Sequence, residues 1–173
     1  MLEHGERTAH AFAKLNLGLH VCGRRSNGYH EVATILHEIS LADRFVWTPT
    51  GGPFRYAGSD ALAPDVDIVR TILDAAPDRD RWTGTLRLCK HIPMSAGLGG
   101  GSSDAALALR LAFPERTLTD LVELAAEYGS DVPFFVRGGT ALATGTGTTL
   151  RQLRSGRYWF VVVVPPLEIA NKT

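Results

Sequence analysis

From residue 11 to residue 21 the chain alternates without a break. Ala11, Ala13, Leu15, Leu17, Leu19 and Val21 fall on one side; Phe12, Lys14, Asn16, Gly18 and His20 fall on the other. A period of two is the signature of a strand with one buried face. Ser26-Asn27-Gly28 is a strong turn signal, and it predicts a hairpin into a second strand over 29–40. A third strand is expected at 44–48, then a Gly- and Pro-rich loop over 50–60. The spacing of apolar residues over 65–76, with Pro77 just beyond, predicts a helix. Residues 85–91 read as a strand that delivers the chain into a glycine-rich segment. A helix over 103–113 follows, rich in alanine for close packing and stopped by Pro114. Thr117-x-x-Asp120 resembles a capping box, with Asp in place of Glu. The helix it opens carries an apolar stripe of Leu118, Leu121, Val122, Leu124, Ala125 and Tyr128, and Gly129 ends it. Strands are expected at 140–143 and 158–164. Strands first, then helices and strands mixed, predict a two-layer α+β domain with a mixed sheet.

Composition adds bounds rather than detail. With 173 residues, 45% hydrophobic and 21% charged, the chain can bury a core without metal or disulfide support. A formal net charge of zero supplies no global field for nucleic acid or anionic lipid, so any anion site must be local. Cys22 and Cys89 lie in strand-like runs and read as reduced, buried thiols. The polar start 1–7 lacks the apolar stretch of a signal peptide, and the longest apolar run, 159–166, is too short to span a bilayer. A cytoplasmic protein is the expectation. His4, His10, His20, His37 and His91 show no metal-ligand spacing.

The chemistry concentrates in Pro93-Met94-Ser95-Ala96-Gly97-Leu98-Gly99-Gly100-Gly101-Ser102-Ser103, which leads into Asp104-Ala105-Ala106. Glycine opens backbone angles closed to other residues and keeps side chains out of a ligand's way. A helix N-terminus adds unpaired N–H groups and partial positive charge. Together they describe a phosphate cradle. Ser102 stands where a P-loop needs Lys and where the dinucleotide motif needs Gly, so this is a third kind of loop. Three other segments are individually bland. Lys14 and Asn16 project from the first strand opposite its aliphatic face, where a lysine is usually solvated. Arg24-Arg25-Ser26-Asn27-Gly28-Tyr29-His30 reads as a hairpin tip. Asp131 follows a helix end, as a turn or capping aspartate would.

Taken together and in order, Ala11-x-Ala13-Lys14-Leu15-Asn16-Leu17, Gly28-Tyr29-His30, the loop at 97–106 and Ser130-Asp131-Val132-Pro133-Phe134-Phe135 resemble the GHMP kinases, over about residues 11–164. The resemblance is greatest to members acting on cytidine diphosphate-linked methylerythritol in isoprenoid precursor synthesis. It implies a mixed sheet with a left-handed βαβ crossover, ATP with Mg²⁺ as cofactor, and a small-molecule substrate. Residues 93–103 would wrap the ATP phosphates, with Gly99 to Ser103 closest. Asp131 would take the proton from the attacking hydroxyl, with Lys14 holding it ionised. Asn16, Tyr29 and His30 would contact substrate, and Ser102 or Ser103 would be Mg²⁺ ligands, there being no dedicated carboxylate cage. Residues 1–165 would form the ATP-binding domain and 166–173 the start of a connection to an absent second domain. An exposed interdomain face, prone to self-association, is the further expectation. Two positions depart from the family pattern: Val66-Asp67 where Asn-Leu is common, and Ile169-Ala170-Asn171 where Ser or Thr is usual. A homoserine- or mevalonate-type kinase, or a nucleotide-binding fragment without catalysis, are the alternatives.

Overall fold

The computed structural model describes residues 5–24, 28, 30–59 and 67–165. Its long first strand β1 (Arg7–Arg24) pairs antiparallel along the length of β2 (His30–Pro53). The two expected strands at 29–40 and 44–48 are therefore one. On its other edge β2 serves two partners. Its second half carries β4 (Thr83–Cys89), and its first half carries β5 (Thr140–Gly145), both antiparallel. The expected loop over 50–60 instead holds the end of β2 and β3 (Arg55–Ala57), which runs parallel to β4. The hairpin partner β6 (Thr149–Gln152) was hidden among Gly-rich turns. The sheet is mixed, as expected.

Four α-helices lie among the described residues: α1 (Ile68–Asp74), α2 (Gly100–Ala112), α3 (Leu118–Ala125) and α4 (Val132–Arg137); α2 packs on the sheet and the other three pack on α2. α1 lies on the connection between the parallel strands β3 and β4. It is shorter than expected; Asp67 caps it through bonds to the Val69 and Arg70 amides, and residues 60–66 lie outside the described residues. α3 begins with the full Thr117–Asp120 capping box. α2 runs through the middle, against α1, α4 and β1. Ala105, Ala106, Ala108 and Ala112 are buried there against Ala11 of β1, so small residues on both sides let helix and sheet approach closely.

β1 departs from simple alternation, and the departure matters. Its pairing with β2 shifts at Phe12/Lys14, Asn16/Gly18 and Val21/Gly23. A bulge re-aims the side chains beside it. At the first one, Ala13 and Lys14 are both buried. The aliphatic face is covered only as far as the helix layer reaches, so Leu17, Leu19 and Val21 are exposed. The same geometry leaves Cys22 exposed and Cys89 half-buried, both free thiols, against the expectation of buried ones. Among the described residues no helix is long and apolar enough to cross a membrane.

Residues 158–164 are not a strand, although their pattern predicts one. Trp159, Val161 and Val163 are 100%, 93% and 81% exposed, while Tyr158 and Phe160 sit against the His37 ring. A strand needs a neighbouring ladder, and no described strand pairs here.

Candidate active site

α2 starts three residues earlier than periodicity suggests. Gly99 is its N-cap in the left-handed region (φ 72°), and Gly100 and Gly101 form its first turn. No side chain caps it. The Ser103 amide already donates to Gly99 O, so the preceding amides are the orphan donors of the helix start. Before it, Ser95 (φ 56°) and Gly97 (φ 71°) also take left-handed angles, which fold the loop back on itself. Leu98 plugs the loop into a small cluster with Ala13 and Ile92, and its carbonyl accepts the Lys14 amide at 3.0 Å.

The loop walls a cavity of about 310 Å³ lined by Pro93 through Ser102, together with Asp67, Ile68, Lys90 and Asp104. Ser103 is not among these residues. It is buried and lines a different cavity, with Leu107 and Phe135. Of the two candidate cation ligands, then, Ser102 alone faces the loop cavity. The described residues hold no cluster of three or more His, Cys, Asp or Glu able to grip a metal. Ser102 is thus the hydroxyl that would reach a Mg²⁺ carried by nucleotide phosphates.

The glycines of the loop have different reasons to be there. A Cβ on Gly99 would lie 2.7 Å from Phe135 Cζ and 3.2 Å from Lys14 Cγ. One on Gly100 would lie 3.0 Å from Ile92 Cγ2 and 3.3 Å from Lys90 Nζ. The Phe135 ring and a left-handed φ therefore exclude a side chain at Gly99, and Ile92 leaves little room for one at Gly100, before any ligand is considered. At Gly101 a Cβ would meet nothing within 4 Å. Gly101→Ala is thus the clean probe of the cradle. It should raise the melting temperature, because Ala loses less entropy than Gly in a helix (about 0.5–1 kcal/mol), while weakening ATP binding. Calorimetric titration of a stabilised variant that binds ATP as the parent does would exclude the Gly101 backbone from the phosphate site.

Beyond Gly99 the chain brings together residues far apart in sequence. Lys14 Nζ donates to Asn16 Oδ1 (2.6 Å) and lies 3.6 Å from Asp131 Oδ2. Asn16 donates onward to Thr34 Oγ1 (2.8 Å). The Lys14 side chain is 8% exposed and that of Asp131 34%. Asp131 occupies the N-cap position of α4 but makes no side-chain capping bond. Its carboxylate is thus turned to Lys14 and to solvent, which removes the capping reading. Lys14 is not the solvated lysine that its place in the alternation suggests, because the bulge turns it inward.

His30 is not brought to this group. It pairs with Arg24 at the far end of the β1–β2 ribbon and is exposed, and no described contact joins it to Lys14, Asn16 or Asp131. Tyr29 lies outside the described residues.

Sequence reasoning missed a third cluster. Lys90, just past β4, places Nζ 2.5 Å from Asp43 Oδ2 and 2.6 Å from Asp104 Oδ2. Burial pushes the Asp104 carboxyl up to about 7, with Lys90 pulling it down and Asp43 adding to the rise. Burial works against the Lys90 charge, but the two carboxylates outweigh it and hold its pKa above the ordinary lysine value. A carboxyl raised from 3.8 to about 7 on folding favours the folded state where it is protonated. Its contribution is complete below pH 4 and is lost as pH rises through 7. Asp104→Asn should accordingly flatten the pH dependence of chemical denaturation between pH 4 and 7; an unchanged slope would place the perturbed proton elsewhere.

The model of the GHMP kinases N terminal domain matches residues 67–139. A 4-diphosphocytidyl-2-C-methyl-D-erythritol kinase of Shewanella sp. (strain MR-4) is 36% identical over 168 residues, covering 92% of this chain and 59% of the relative. The kinase of the same name from Chromohalobacter salexigens is 42% identical over 172 residues, covering 92% and 56%. A crystal structure of 4-(cytidine 5'-diphospho)-2C-methyl-D-erythritol kinase superposes with a TM-score of 0.69 at 39% identity, over 85% of this chain and 55% of that one. The mevalonate kinase of Methanococcus jannaschii superposes at 0.62 with 13% identity, over 88% and 57%, which is a likeness of fold. The chain spans less than two thirds of the length of these relatives.

Proposed function

We propose that this chain belongs to the GHMP kinases, carries their N-terminal domain, and forms the nucleotide-binding and catalytic part of an ATP-dependent kinase. The alcohol it phosphorylates is the 2-hydroxyl of 4-diphosphocytidyl-2-C-methyl-D-erythritol. Residues up to 165 form the nucleotide-binding domain in this reading, and the connection expected at 166–173 lies outside the described residues. The observation that carries it is the convergence at Gly99. The uncapped start of α2, the loop cavity, Lys14 and Asp131 meet within one patch.

The loop amides and the α2 N-terminus receive the ATP phosphates. Ser102 would be a protein ligand of the Mg²⁺ that accompanies ATP, an ion that would supply charge compensation for the phosphates. Asp131 accepts the proton of the attacking hydroxyl. Lys14, 3.6 Å from the Asp131 carboxylate, offsets charge on the transferring group. Asn16, fixed between Lys14 and Thr34, orients the substrate alcohol. An aspartate is a weak base in water, so the rate comes chiefly from positioning and electrostatics, as is general for phosphoryl transfer. Tyr29 and His30 are assigned to the cytosine: a stacking ring and an imidazole edge suit a planar base. Tyr29→Ala tests this. It should raise KM for the cytidine substrate far more than KM for ATP, and equal effects would take Tyr29 out of the pocket. A panel of cytidine-linked polyol, homoserine and mevalonate, each with ATP, tests the substrate. Phosphorylation of either of the last two in preference to the first would move the chain to another branch of the family.

The bare face at 158–164 has its own consequence. Apolar surface of this extent seldom stays uncovered on a monomer. The chain should therefore self-associate with rising concentration, and Trp159→Lys with Val161→Lys should suppress it. Sedimentation of the parent as a monomer at all concentrations would show that this face is tolerated bare.

A further inference from the structure

We infer that Asp43, Lys90 and Asp104 form a buried brace that fixes both ends of the glycine loop and so sets its grip on nucleotide phosphates. The inference rests on the proposed reading of the loop as a nucleotide site. Lys90 and Asp104 also line the loop cavity, so the role inferred here is read from the unliganded loop as well as from nucleotide affinity.

The geometry is specific to the loop. Asp43 stands on β2 at a place where β1 pairs with it on one side and β4 begins to part from it on the other. Its Oδ1 accepts the amides of His91 and Ile92 (the latter at 2.8 Å). Those two residues carry the chain from β4 into the loop. Its Oδ2 holds Lys90 Nζ, and the same ammonium holds Asp104 Oδ2 in the second turn of α2. One lysine thus joins the entry of the loop to its exit, and the base of β2 to both. Between these anchors lie Ser95, Gly97 and Gly99, all in left-handed angles and with few side chains to hold them. A loop of that composition adopts many shapes unless its ends are fixed, and a site that is already shaped binds more tightly than one that must order.

Two details separate a brace from an ordinary buried ion pair, which is weak evidence for stability in itself. The Lys90 ammonium lies 3.3 Å from where a Cβ on Gly100 would be, so it sets the spacing of the helix start as well as the charge. Asp104 lines the loop cavity, and its Oδ1 is buried with no hydrogen-bond partner among the described residues. A carboxyl oxygen left unsatisfied in the wall of a site is tolerated where position is worth more than satisfaction.

The test combines amide hydrogen exchange of the unliganded chain with calorimetric titration of MgATP. In Lys90→Met the amides of residues 95–103 should exchange at least about tenfold faster while the central amides of β2 and β5 keep the parent rate. ATP affinity should fall on the order of tenfold to a hundredfold. Asp104→Asn keeps an oxygen for Lys90 and should stay near the parent in loop exchange. If Lys90→Met does not fold, Lys90→Gln carries the same expectation, since its shorter amide reaches one carboxylate at most. Parent-like loop exchange in either folded lysine variant overturns the brace. So does faster exchange spread evenly over the sheet, which would make the cluster a general core feature. A parent that binds no ATP removes the nucleotide reading instead, and with it the affinity half of the inference, while the exchange result still decides whether the brace holds the loop.

Discussion

Asp131→Asn should lower phosphoryl transfer by about 10²–10⁴-fold, the usual range for loss of a general base, with the melting temperature nearly unchanged. Both halves come from the same geometry. The carboxylate stands 3.6 Å from Lys14 Nζ and is one-third exposed, so it is poised by charge yet open to a substrate hydroxyl. It sits at the N-cap of α4 without bonding any amide of that helix. Asparagine is as good a residue at that position, so the fold has little to lose. The assay is ATP-dependent phosphorylation of the cytidine-linked polyol. Activity within a few-fold of the parent would show that another group takes the proton.

Lys14→Met should cost about 10²–10³-fold in turnover, the scale for removing one electrostatic contact to developing charge. Methionine retains the stem that packs on Gly99 and drops only the ammonium. The groups left behind are Asn16, which still bonds Thr34, and Asp131, which water reaches. Neither becomes a buried unpaired charge, so thermal stability should change little. ATP affinity should change less than turnover, because the phosphates have the loop amides as their main partners. A variant that unfolds, or one that loses ATP binding and turnover by the same factor, would recast Lys14 as a structural or ground-state contact.

Much of this site was legible in the chain because its signals are local. A run of glycines opening an alanine-rich helix dictates backbone angles and exposed amides within a dozen residues, and the cavity forms where that run stands. The Thr117–Asp120 capping box and the stop at Pro114 are local in the same sense, and both are found. Asp131 could be singled out, but the chain alone gave equal room to a capping aspartate.

What pairing decided lay beyond reach. Alternation places Lys14 on the solvent side of β1. A single bulge at Phe12/Lys14, set by β2, turns it inward toward Asp131. Asp43 carries no local signal at all; it becomes a brace because β2 runs beside the end of β4. Residues 158–164 have the composition and period of a strand, yet stay irregular among the described residues because no ladder lies alongside them. Turns, caps and helix starts are fixed by neighbours in the chain, and sequence determined them. Bulges, buried charges and strand partners are fixed by whatever the fold sets opposite, and only the tertiary structure could supply that.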